Sequence, residues 1–217
     1  FRSAEAEAAW ELLKELWQHT NPASTNYGFM QEPLLTGDVW VAFDHIARLA
    51  DAFNQRPDDF VAFPAPAGPV GRAFMPVLAG VAVPVTAPDM EASLELVEYL
   101  MQPETQVATL LATNFYPTVD APLPEDLPPA ARALGPAINT MTSSPDALPA
   151  LLPVGLGELG GQFNQVYIDT FERIVLANQP IRTVLDEQAA VLRDLMVQAN
   201  APCWLPDEPS VGACPVD

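Results

Sequence analysis

The chain has 217 residues, 49% of them hydrophobic, enough apolar side chain for a real core in one or two domains and too much for a disordered tail. Its formal net charge of −19 comes from only 17% charged residues, so the imbalance is a shortage of bases, with Lys14 the only lysine among nine cations. Nucleic acid and anionic membrane surfaces repel such a chain, and no run reaches the roughly 18 consecutive apolar residues of a membrane span. No signal-like segment opens it, so a secreted protein is expected here in mature or truncated form.

Ser3 can cap a first helix, in which Ala6, Ala9, Trp10, Leu13, Leu16 and Trp17 recur at helical spacing and which Asn21-Pro22 ends. Trp10 and Trp17, seven residues apart, read as core. Gly37-Asp38-Val39-Trp40-Val41-Ala42-Phe43-Asp44 then gives a short apolar run that reads as a buried strand, Trp40 included. Residues 45–55 look helical through Ile46, Leu49, Ala50 and Phe53, and Pro57 stops them. Residues 60–63 form a second short strand, and 64–71 a loop of Pro, Ala and Gly.

Residues 73–85 are long enough for one strand bent at Pro76 or two successive strands, although Pro84 argues against a central position at the far end. Residues 89–101 and 103–113 are predicted helices, the prolines at their starts standing where a missing N–H costs nothing. Beyond Pro117 the pattern is wholly helical, broken by proline clusters at 122–129 and 145–153, with long helices over 160–178 and 180–200. An irregular tail, 201–217, carries Cys203 and Cys214. Paired cysteines in a loop-rich tail point to a local disulfide and an oxidising compartment, two free thiols being the alternative. There is no Cys/His spacing for zinc. Strands and helices followed by a helical block give an α/β class with few strands.

The segment Phe74-Met75-Pro76-Val77-Leu78-Ala79-Gly80, the apolar run Val81-Ala82-Val83-Pro84-Val85, the helix over 89–101, the Gly37 to Asp44 run upstream and residues 104–117 downstream resemble, in order and spacing, the solute-binding proteins of bacterial ABC importers. The likeness is to the sugar-binding, maltose-binding-protein-like class, and to its C-terminal half only. It implies a periplasmic-binding-protein-like fold of two α/β lobes with the ligand held between them. Residues 1–72 would belong to the second lobe, 73–145 to a crossing segment and helices packing on the first lobe, and 146–200 to the second lobe again, with 201–217 the disulfide-pinned tail. The first lobe's early strands have no counterpart, so a missing N-terminal half of the same protein is an expected partner. Without it the chain would expose a large apolar surface.

The resemblance implies a receptor, periplasmic or extracellular and secreted or lipid-anchored through that missing N-terminus. It would capture a small hydroxylated solute, a carbohydrate, and deliver it to ABC permease membrane subunits, with no cofactor. Asp44, His45 and Arg48 stand at a strand-to-helix junction, where α/β folds hold ligands. The family often places a stacking ring there, and these positions carry none. Asp44 also suits a helix cap, and Arg48 could pair with it at i,i+4. Leu78, Ala79 and Gly80 would let backbone groups reach a polyol, or simply pack as strand. Gln162 and Gln165 offer amides that both donate and accept, and Tyr116 is a loop aromatic near the expected cleft. Catalysis has little support: the two histidines, His19 and His45, lack a nucleophile partner, and neither a phosphate loop nor a Gly-x-Ser-x-Gly elbow occurs. A different polar metabolite such as a glycerol phosphodiester, and a helical interaction module without transport function, stay open as alternatives.

Overall fold

A computed structural model describes residues 1–78, 80–151 and 153–216. Its helices are α1 (Ala4–Trp17), α2 (Gln31–Thr36), α3 (Ile46–Gln55), α4 (Met90–Leu100), α5 (Pro103–Thr113), α6 (Pro129–Ser143), α7 (Gly160–Phe171) and α8 (Ile181–Ala199). Two three-residue strands, β1 (Arg72–Phe74) and β2 (Ala147–Pro149), form the single sheet among the described residues. Contacts divide the chain into two units. Unit 1 holds Phe1–Thr20, Phe74–Pro76 and Leu148–Asp217, and unit 2 holds Asn21–Ala73 and Val77–Ala147.

Unit 1 is built on α8. Its Val184, Leu185, Gln188, Ala189, Leu192, Leu195 and Met196 recur at three- and four-residue steps and are all buried, the stripe an amphipathic helix turns to a core. The upper part of that stripe meets Ile174 and Val175, and Trp10, Leu13 and Trp17 of α1 pack against the same cluster. Ser3 caps α1 by accepting from Ala6 N–H at 3.2 Å, and Trp17 stands edge-on to Phe171 with centroids 5.1 Å apart. The lower part meets Phe163 and Val166 of α7. After Phe171, α7 widens into a π-helical turn, Glu172–Leu176.

The tail closes this core. Ala201 and Val216 are buried in it, with Trp204 and Cys214 packed alongside. Cys203 and Cys214 are joined by a disulfide, Cys214 N–H donates to Ala201 O at 2.8 Å, and the Trp204 indole donates to Val154 O at 3.1 Å.

In unit 2, α3 lays Ala50 and Phe53 against Ala130 and Leu134 of α6, with Ile46, Leu49, Phe60 and Ala62 around them. Asp89 caps α4 by accepting from Ala92 N–H at 2.9 Å, and Pro103 opens α5. Neither α4 nor α5 is well covered within the unit: α4 buries no residue, and α5 buries only Leu110.

The strand expectations need correction. Residues 39–43, with a bend at Trp40, and 60–63 are irregular and join no ladder. Of 73–85 only the start lies in a strand, while β2 falls in the stretch expected to be wholly helical. Trp40, expected in the core, is 96% exposed and Phe43 87%. An apolar run specifies a strand only where another strand supplies its backbone partners, and unit 2 offers none to these segments.

Replacing both cysteines by serine should lower the unfolding free energy of unit 1 by about 3 kcal/mol through lost loop-closure constraint. Denaturant titration followed by the fluorescence of Trp204 and Trp17 measures it, and an unchanged midpoint would contradict a stabilising role.

Candidate functional site

At the expected strand-to-helix junction, α3 is present but no strand precedes it, and the Asp44 carboxylate is already committed. The Asp44 side chain is 10% exposed. One oxygen accepts from Met30 N–H at 3.0 Å and the other from His45 N–H at 2.7 Å. Met30 is the N-cap residue of α2, so Asp44 supplies the acceptor that this helix start lacks in its own sequence, an arrangement also favoured by the helix dipole. Arg48 Nη1 lies 3.8 Å from Asp44 Oδ1, and its guanidinium covers the Phe29 ring at 5.4 Å. A second tie joins the helices: Gln31 Nε2 donates to Asp51 Oδ2 and Asp51 N–H to Gln31 Oε1, both at 3.2 Å. The groups left facing solvent at the junction are His45, which makes no side-chain cap, and the outer half of Arg48.

Leu78 and Gly80 are exposed. A Cβ built on Gly80 would meet nothing within 4 Å, so packing in unit 2 does not demand glycine there. Ala79 lies outside the described residues. Tyr116 is engaged within unit 2: its hydroxyl donates to Ala131 O of α6 at 2.7 Å, and removal from water pushes the phenol up to about 12. Gln162 and Gln165 belong to unit 1, on the first two turns of α7. Both are exposed, and Gln165 Nε2 donates to Asp169 Oδ1 at 2.7 Å, one turn on. Of the sequence-predicted residues, Asp44, His45 and Arg48 are thus brought into contact. The remaining described ones are placed separately.

Sequence reasoning missed Phe29 and the Met30 N–H as partners of Arg48 and Asp44. They lie fourteen and more residues upstream, where no periodicity points. A concavity of about 300 Å³ in unit 2 is lined by Pro103, Glu104, Val107, Pro122, Leu123 and Pro124. Glu104 is its only polar side chain, so it lacks the convergent polar groups that fix a hydroxylated solute. Among the described residues no three His, Cys, Asp or Glu side chains cluster as a metal site, and no helix is long and apolar enough to cross a membrane.

The family model described as bacterial extracellular solute-binding protein matches residues 2–132. The chain belongs to that family. Comparison with curated proteins returns no match.

Asp44→Ala should destabilise unit 2 by about 1–2 kcal/mol, the cost of losing a helix-start acceptor, read as a lowered urea midpoint, whereas a ligand-only role would leave the midpoint unchanged. The Tyr116 phenol, raised above its ordinary value near 10, contributes stability that is complete below about pH 10 and lost as pH rises through about 12. Alkaline titration of the phenolate absorbance should show a component near pH 12 that is absent in Tyr116→Phe.

Proposed function

We propose that the protein is the receptor of an ABC importer, which captures a small neutral hydroxylated solute, a sugar or oligosaccharide, and hands it to membrane permease subunits. Membership of the extracellular solute-binding family supports a transport role outside the cytoplasm. Capture would proceed by closure of two lobes, driven by solute contacts made to both at once. Residues 1–72 and 146–200 then belong to the second lobe, together with α6, which packs on α3. The rest of 73–145 serves the first lobe, and 201–217 is the second lobe's tail.

The observation that carries this reading is the unfinished surface of unit 2. Residues 60–63 alternate in burial: Phe60 and Ala62 face the helices, while Val61 and Phe63 are exposed. The outward positions of 39–43 are likewise apolar, Trp40 and Phe43 among them. Strands with apolar side chains on both faces are those of α/β sheets covered on both sides. We assign the missing cover to strands and helices of the N-terminal half of the same protein, which would also pack on α4.

A neutral solute fits the distribution of cations. Arg2, Arg48, Arg56, Arg72, Arg173 and Arg182 are all paired with carboxylates. Lys14 donates to Asn178 and Arg193 to the Val216 carbonyl, which leaves Arg132, exposed on α6, as the one cationic side chain without an ion pair or side-chain hydrogen bond among the described residues. A phosphodiester would need such groups for itself. Exposed amides such as Gln162 suit hydroxyls.

The 217-residue chain by itself should self-associate and bind sugars weakly or not at all, whereas the same chain joined to an N-terminal lobe should be monomeric and bind. Sedimentation and calorimetric titration with a panel of mono- and oligosaccharides test this. A monomeric isolated chain with tight sugar binding would overturn the two-lobe reading.

A further inference from the structure

The chain leaves unit 2 for the last time between Ala147 and Leu148, inside β2. Immediately before that point, Asp146 is tied to Arg72 through both backbone and side chain. Arg72 N–H donates to Asp146 O at 2.7 Å, and the Arg72 guanidinium lies 3.8 Å from the Asp146 carboxylate. Arg72 Nη1 also donates to Ala65 O, in a loop stiffened by Pro64, Pro66 and Pro69. Ser144 Oγ donates to the same carboxylate. That bond first, and the Arg72 charge after it, hold the Asp146 carboxyl below its ordinary range.

Arg72 is an expensive choice for this position. Its side chain is only 19% exposed, and its Nε is the buried side-chain nitrogen left without a hydrogen-bond partner among the described residues. Buried polar groups are otherwise nearly always paired. A residue retained despite an unpaired N–H is one whose other contacts fix it, and here they are a loop carbonyl on one side and the outgoing strand on the other. A lysine, with a single nitrogen, cannot span both as a rigid fork can. On the far side of β1 and β2 the fastening is weaker. In unit 1, Ala150 N–H donates to Phe74 O at 2.8 Å, and among the described residues no ion pair accompanies it.

We infer that Arg72 is a clasp that locks the exit of the chain to unit 2, holding residues 144–147 to the 64–71 loop. The clasp rests on the two-lobe reading for its purpose but not for its existence, since every contact in it lies within unit 2. Arg72 is a positioning residue in this scheme: it touches no solute and fixes the path by which the chain leaves unit 2.

The test is residue-resolved amide exchange on the chain carrying Asp146→Asn or Arg72→Lys. Both variants should lower the protection of the amide at position 72 by about three- to tenfold, as expected when a local opening loses one fastening. Protection at Ala150 and in α8 should change by less than about twofold. Unchanged protection at position 72 in either variant would overturn the clasp. So would an equal loss at 72 and Ala150, which would mean general loosening of a merely structural contact. A failure of the lobe-closure reading would appear elsewhere, as no sugar-dependent change in the two-lobed protein, and would leave these ratios intact.

Discussion

An extended segment cannot satisfy its own backbone. A helix pairs its N–H and C=O groups internally, apart from its ends, but a strand depends on a neighbour that must come from elsewhere in the chain or from another chain. Unit 2 is governed by this requirement. It contains apolar chain at 39–43 and 60–63 that joins no ladder. Phe60 and Ala62 pack on the core that α3 and α6 form, while Trp40, Val41, Phe43, Val61 and Phe63 stay bare, a grouping that soluble proteins ordinarily hide.

Unit 1 shows what the same chain does where the requirement is met internally. Its core is helix on helix: α8 presents a continuous apolar stripe, and α1, α7 and the π-helical turn each bury part of it. The tail could not fold over this core by hydrophobicity alone, since it is short and rich in proline and acid. The disulfide holds it in register, which lets Ala201, Trp204 and Val216 complete the packing. Helix ends are served locally in both units, by Ser3 and Asp89 within their own sequences and by Asp44 from a distance.

This contrast explains what could be read in the sequence. The helices were legible because periodicity, caps and prolines are local: α3, α4, α5 and α8 begin and end within a few residues of their signals. The cystine was legible from composition. The strands were not, because a run such as Val39-Trp40-Val41-Ala42-Phe43 states only that it is apolar, and its pairing is decided by residues far away. β2 was hidden in a proline cluster and exists because Arg72 and Phe74 supply its partners. The helix that begins after His45 was legible, but the occupation of the Asp44 carboxylate by Met30 and of the Arg48 guanidinium by Phe29 is a tertiary fact with no periodic trace.

The charge balance carries the last step. With 28 acids against nine cations, bases are scarce, and several of them hold structure. They join helices or segments: Arg2 with Asp186 and Arg182 with Glu7 between the amino-terminal segment and α8, Arg173 with Glu187 between the π-helical turn and α8, Arg72 with Asp146 at the exit from unit 2. A ligand that needed a cation would compete with these joints. A solute recognised by amides, hydroxyls and backbone groups would not, and its hydrogen bonds could form without disturbing the fold. Exposed ion pairs are weak individually, so these joints matter for position more than for energy. The surplus negative field disfavours anionic solutes, which is in keeping with the neutral solute proposed above.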